Sequence, residues 1–275
     1  MPVYKQIEGN HRAIIGEFEF DLAPQDVWRA LTDPEEIANW FSLRARVEGK
    51  VNGEIQFDWK PLFDFEWIDR ITIWEPDKRL AFAPRPETVA KEGLDYLCEF
   101  VITTGKGKTK LTMVHSGFST DAKWDDEFDS YFGGWNYELF SLSHYLTHHF
   151  GKQRRLIWTA LNYAEHGITN PYKHLADSTG LFAEKSLRSF KVGDTFRFPL
   201  NESEIIQGKV VQLEPDGHDQ FAGVIESLNQ GLFRIGAGQR FFFAWLALYD
   251  MDEQRAVRIE KLFHERFAAA LAQPA

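Results

Sequence analysis

Between Leu22 and Phe41 the chain reads LAPQDVWRALTDPEEIANWF, two short helices written back to back. Pro24 stands where the first turn of a helix tolerates proline, and Val27, Trp28 and Leu31 recur at helical spacing. Asp33-Pro34-Glu35-Glu36 restarts the helix: Asp33 caps it, Pro34 fits its first position, and Glu36 completes a capping-box arrangement. Ile37, Trp40 and Phe41 supply the second apolar face. Isolated helices shorter than about 12–15 residues are marginal in water, so neither stands alone. The pair requires a larger apolar surface to lie on.

The flanking sequence supplies one. Residues before 12 read as a tail, and RAIIGEFEFDL (12–22) then alternates as a half-buried strand with Phe18, Phe20 and Leu22 on one face. After the two helices come strand signals at Glu54–Trp59, Phe65–Trp74, Arg79–Ala83, Leu94–Thr103 and Lys108–Phe118. Turns such as Glu75-Pro76-Asp77-Lys78 and Gly105-Lys106-Gly107-Lys108 separate them, which predicts an antiparallel sheet. From Trp124 to Phe150 the period changes: Trp124, Phe128, Tyr131, Trp135, Leu139, Leu142 and Leu146 are spaced by three or four. One long helix is predicted, with Asp125, Asp126, Glu127 and Asp129 at its positive end. Gly133-Gly134 in its middle predicts a bend or a close backbone approach.

This order of elements carries a resemblance. The run from Pro24 to Phe41, then Glu75-Pro76-Asp77-Lys78-Arg79-Leu80, His115-Ser116-Gly117-Phe118 and Gly134-Trp135 resemble the START-like (SRPBCC) helix-grip superfamily. Within it they are similar to the branch named after the activator of the heat-shock-protein-ninety ATPase. The resemblance covers residues 12–150. It implies an α+β fold in which a curved antiparallel sheet wraps around a long C-terminal helix, with the two short helices closing one end of an apolar cavity. It also implies a chaperone partner and a role in stress response as one line of function.

Residues 151–275 read as a degenerate second copy. Trp28-Arg29-Ala30-Leu31-Thr32-Asp33 is echoed by Tyr172-Lys173-His174-Leu175-Ala176-Asp177, Ile55-Gln56-Phe57 by Phe196-Arg197-Phe198, and Glu75-Pro76-Asp77 by Glu214-Pro215-Asp216. The offset between copies shrinks steadily, as small deletions would make it do. A strand at Phe241–Tyr249 and a helix carrying Ile259, Leu262, Phe263, Phe267 and Leu271 complete the copy, which lacks the Trp-Phe pair. Two domains are expected, 1–150 and 151–275.

The chemistry is narrowed mostly by exclusion. With Lys+Arg 31 against Asp+Glu 41 the chain carries a net charge of −10, which disfavours nucleic acid and anionic membranes as partners. One cysteine, Cys98, excludes an internal disulfide framework and fits a buried inert thiol in a reducing compartment. The opening MPVYKQIEGNHR has no signal-peptide apolar run, so a cytoplasmic protein is expected. Gly105-Lys106-Gly107-Lys108-Thr109 is no phosphate loop, because Ile102 stands where the first glycine is needed. His144 and His148 lie four apart but lack a third ligand and are expected on the solvated surface. Asp64, Glu66, Asp69 and Asp95, with Arg70 and Arg85, are expected as exposed sheet charges. Asn201-Glu202-Ser203 matches a glycosylation sequon without a secretion signal. No catalytic set, metal or cofactor is implied.

What remains is aromatic. Of the chain, 15% is Phe, Trp or Tyr. Trp40, Phe41, Phe57, Trp59, Trp67, His115, Phe118, Tyr131, Trp135 and Leu139 are the candidates to line the cavity, with Trp40 and Phe41 at its mouth. The leading expectation is a noncatalytic protein, monomer or homodimer, that binds an apolar or aromatic small molecule in its first domain. The alternatives are a co-chaperone-like regulator and a cyclase- or hydrolase-type enzyme using the same cavity.

Overall fold

The computed structural model describes residues 3–92, 95–162, 181–182, 186–214, 220–237 and 241–271. The chain divides into two compact units, Met1–Lys152 and Gln153–Ala275.

In the first unit the strands are β1 (Val3–Glu8), β2 (His11–Phe20), β3 (Arg44–Val47), β4 (Glu54–Asp58), β5 (Glu66–Glu75), β6 (Arg79–Pro84), β7 (Leu97–Gly105) and β8 (Lys108–Ser119). They form one sheet in the order β1-β2-β8-β7-β6-β5-β4-β3, antiparallel throughout. The helices are α1 (Pro24–Thr32), α2 (Pro34–Ile37), α3 (Pro86–Glu92) and α4 (Asp125–His148). The N-terminal segment read as a tail is β1, paired from Val3↔Gly16 to Glu8↔His11. After Val3 it is exposed along its length, so it carries no alternation to read.

The two short helices are anchored from several sides. α1 buries Val27, Trp28, Ala30 and Leu31, and Trp28 meets Trp74 edge-on at 4.9 Å. Asp33 caps α2, its Oδ1 accepting the Glu35 N–H at 2.8 Å. The expected return bond from Glu36 does not form, because the Asp33 N–H is already donated to the Arg29 carbonyl. Glu36 instead turns inward, accepting the Tyr145 hydroxyl and pairing with Arg29 at 3.0 Å. Tyr145 also receives Asn39 Nδ2–H at 3.3 Å and the Gly151 N–H at 2.9 Å. Ser141 on α4 donates to the Trp40 carbonyl at 2.8 Å, and Trp40 donates its indole N–H to the Ala30 carbonyl at 2.9 Å. The Leu22–Phe41 stretch is thereby tied to the C-terminal half of α4.

The close approach expected at Gly133-Gly134 is not made at Gly134. A Cβ on Gly134 would meet open space, whereas one on Gly16 of β2 would sit 2.7 Å from Leu139 Cδ1. It is the strand that gives way to the helix there.

The second unit has β9 (Arg154–Asn162), β10 (Thr195–Pro199), β11 (Ile205–Glu214), β12 (Gln220–Ile225), β13 (Gly231–Ala237), β14 (Phe241–Tyr249) and a final helix α5 (Glu253–Leu271). Its antiparallel sheet runs β10-β11-β12-β13-β14-β9. Phe182, Phe196, Phe198, Phe221, Phe233 and Phe263 fill its interior, none more than 1% exposed. A sheet followed by a long helix thus occurs twice, as two tandem helix-grip units. The sequence echo at Tyr172–Asp177 and the turn residues Pro215-Asp216 lie outside the described residues.

Candidate functional site

The inward face of the first sheet is not uniformly apolar. Trp67, Asp69 and Ile71 share one face of β5, so the period that half-buries Trp67 and fully buries Ile71 carries Asp69 into the interior, 1% exposed. Asp69 stands opposite Ile55 and Pro84, and on the next strands Phe82, Cys98, His115 and Ile14 form a cross-strand row. The expectation of an exposed sheet charge at Asp69 is therefore corrected; Glu66 is exposed as expected.

His115 is fully buried at the centre of a ring cluster. Tyr96 and Phe118 lie at 4.7 Å, Tyr131 at 5.3 Å, Trp135 at 5.9 Å and Trp67 at 6.1 Å between centroids. His115 and Phe118 are three residues apart on β8 yet both point inward, which a regular strand forbids. Gly117 makes this work: its φ is +96°, and the pairing with β2 shifts between Arg12↔Phe118 and Ile14↔His115. A Cβ at Gly117 would lie 2.5 Å from the Asp95 carbonyl oxygen, so only glycine fits this bulge. The His-Ser-Gly-Phe run is the sequence mark of that geometry.

Burial sets the electrostatics. Trp135 donates its indole N–H to His115 Nδ1 at 2.7 Å, and desolvation lowers the imidazole to about 3, so it is neutral. Desolvation raises the Asp69 carboxyl to about 7; the Trp67 indole and the Arg85 charge pull it down only in part. Trp67 Nε1 is near enough to act on Asp69 without the geometry of a hydrogen bond, and Trp67 Nε1, Asp69 Oδ2 and His115 Nε2 are all buried with no hydrogen-bond partner. Tyr131 donates to the Tyr96 hydroxyl at 3.3 Å, and burial pushes both the Tyr96 hydroxyl and the Cys98 thiol well above their usual ranges.

The other candidates join this cluster through one aromatic wall. Phe41 packs against Trp40 at 5.0 Å, Phe57 at 4.9 Å, Trp59 at 5.0 Å and Trp135 at 5.8 Å, and Phe57 meets Trp67 at 6.0 Å. Leu139 is buried under Gly16. Trp40 and Phe41, expected at a cavity mouth, are 3% and 8% exposed. A cleft of about 90 Å³ is lined by Asp95, Tyr96, Gly117, Phe118, Ser119, Trp124 and Glu127. Its walls Tyr96 and Phe118 are the ring neighbours of His115. Sequence reasoning missed Asp69 and Tyr96; the position of Asp69 two residues after Trp67 in a strand was the available signal.

His144 is corrected as well: it is 7% exposed, stacked on Phe140 at 5.7 Å, while His148 is exposed. The two rings lie 4.6 Å apart, and among the described residues no group of three or more His, Cys, Asp or Glu is placed to hold a metal ion. No helix of the described residues is long and apolar enough to cross a membrane.

Residues 21–147 match the family model described as Activator of Hsp90 ATPase homolog 1-like protein. Among solved structures the chain is similar to protein MLL2253 from Mesorhizobium loti, at 22% identity, covering 48% of this chain and 94% of that one with a TM-score of 0.41. It is similar to the Aha1 dimer from Colwellia psychrerythraea at 19% identity, covering 49% and 95% with a TM-score of 0.41. DynU16, a protein of the dynemicin biosynthetic locus, is 16% identical and covers 94% of this chain and 96% of its own, with a TM-score of 0.39. No curated protein matches the chain. The likeness to the activator of Hsp90 ATPase homologue-like family is thus carried by residues 21–147, within the first unit.

Proposed function

We propose that the first unit is a noncatalytic binding domain that takes an apolar or aromatic small molecule between its sheet and α4, entering by the cleft at Tyr96 and Phe118. One observation carries this reading: an aromatic interior that leaves three polar side-chain atoms, on Trp67, Asp69 and His115, without partners. Buried polar atoms are nearly always satisfied, and an apolar pocket with a few convergent polar groups is the usual form of a ligand site. The second unit, with its phenylalanine-filled interior, serves as a structural or interaction module.

The test is native mass spectrometry of the purified protein together with displacement of a fluorescent naphthalene dye by candidate ligands. A copurifying small molecule or saturable dye uptake is expected. Absence of both, with an experimental structure showing water on all three polar atoms, overturns the reading. A second reading, regulation of an Hsp90-type ATPase, is favoured by the description of the matching family. It is tested by adding the protein to a cognate chaperone and measuring ATP hydrolysis; no stimulation and no complex would remove it.

A further inference from the structure

The surface cleft at the start of α4 combines aromatic walls with carboxylates. Tyr96 and Phe118 stack at 5.9 Å and are 7% and 8% exposed, forming its apolar floor. Trp124 is half-buried and lines the same cleft, yet among the described residues it has no aromatic ring neighbour. Its indole therefore stands apart from the stacked pair. Asp95 and Glu127 complete the lining. We infer that this cleft binds a methylated ammonium group, held on the Trp124 ring with the Asp95 and Glu127 carboxylates beside it. The site is separate from the interior described above and does not depend on a ligand there.

Charge selects a cation. The positive end of the α4 dipole, about half a charge, is outweighed by Asp125, Asp126, Glu127 and Asp129. The basic side chains at this end are engaged: Arg12 with Asp125 at 2.5 Å, Lys5 with Asp129 at 2.7 Å and Lys123 with Asp121 at 3.5 Å. Asp95 has no ion pair among the described residues. The Trp124 ring already takes one ammonium, since Lys123 Nζ lies over it at 5.7 Å, and Lys123 is not a wall of the cleft. Size and solvation choose among cations. At about 30 Å³ per water, the cleft holds roughly three waters or one compact head, and no fused-ring body. A bare metal ion requires several oxygen ligands, and no group of three or more His, Cys, Asp or Glu is placed for it among the described residues. A primary ammonium is a compact, strongly hydrated charge, whereas methyl groups spread the charge over a surface that sheds water readily against an aromatic face.

The experiment titrates the full chain with choline, with its neutral carbon isostere 3,3-dimethyl-1-butanol, and with glycine betaine, which adds a carboxylate to the same head. Indole N–H signals are followed by proton–nitrogen NMR, that of Trp124 being assigned by its loss in Trp124→Leu. Choline is expected to shift this signal and to bind about tenfold more tightly than the isostere, the factor of one partly desolvated cation–π contact. Betaine is expected to bind more weakly than choline, because its carboxylate meets Asp95 and Glu127. In Trp124→Leu the preference for choline over the isostere is expected to vanish; the substitution breaks no ring contact, and unchanged signals from the other indoles verify the fold. A trimethyllysine peptide separates the two sources of such a head: tighter binding than choline assigns a modified protein chain, weaker binding a free small molecule, and either order supports the shared chemistry. No choline binding, equal affinity for choline and its isostere or for choline and betaine, or an undiminished preference in Trp124→Leu overturns the inference.

Discussion

Asp69→Asn isolates the most consequential group in the first unit. The carboxyl has a reference value of 3.8 and is raised to about 7 in the fold by desolvation, so the native state holds an extra proton between these values. The stabilising effect of the neutral carboxyl is complete below 3.8 and is lost as pH rises through about 7. Asparagine keeps the shape and does not titrate. Between about pH 5 and about pH 9 the wild type passes through roughly two pH units of differing protonation, which at 1.36 kcal/mol per unit is on the order of 3 kcal/mol. Asp69→Asn is therefore expected to gain that amount relative to wild type between the two conditions. His115, lowered from 6.5 to about 3, contributes the opposite slope in acid, but it is present in both proteins and cancels in the comparison. Urea unfolding followed by tryptophan emission is a suitable assay, because of the nine tryptophans only Trp158 and Trp245 lie outside the first unit. A difference between the two proteins that stays constant across pH would refute the buried, neutral carboxyl.

Other perturbations probe the scaffold. Gly117→Ala places a Cβ against the Asp95 carbonyl at a positive φ and is expected to cost about 1–3 kcal/mol or more, read as a lower urea midpoint with altered near-ultraviolet dichroism from the displaced Phe118 ring. Tyr145→Phe removes the hydroxyl shared by Glu36, Asn39 and Gly151 and is expected to cost about 1–3 kcal/mol in the same assay; an unchanged midpoint would show that Arg29 alone satisfies Glu36. Cys98, fully buried with its thiol held protonated, should be inert to a thiol reagent in buffer and react at once in denaturant.

The parts of the fold that could be read in advance are those where burial is one-sided. β2 alternates because one face packs and the other does not, the first half of α4 repeats at helical spacing for the same reason, and the proline at the start of α1 and the Asp33-Pro34 cap are local chemistry that needs no tertiary information. β1 and β3 were not legible for the converse reason: they are edge strands, exposed or half-buried along their length, so no pattern distinguishes them from loops. Glu36 shows a different limit. Its sequence position fits a capping box, but the competing partner, Tyr145, lies 109 residues away, and a local rule cannot weigh a distant hydroxyl.

Asp69 and His115 show why the site itself was only half legible. Charge in a strand is ordinarily solvated, so Asp69 reads as an exposed sheet charge although it follows Trp67 at the two-residue period of a strand. Its burial in the structure carries a thermodynamic cost. Each buried polar atom left unpartnered costs about 1–3 kcal/mol, and apolar residues of similar shape would remove the cost. Such an expense across Trp67, Asp69 and His115 is a large part of the stability of a domain, typically about 5–15 kcal/mol. On the proposed binding reading, these three groups are kept in an aromatic interior for a ligand rather than for stability. A fold that binds a molecule there recovers the cost when the ligand supplies the missing partners, and the Gly117 bulge that turns both His115 and Phe118 inward is then part of the binding site.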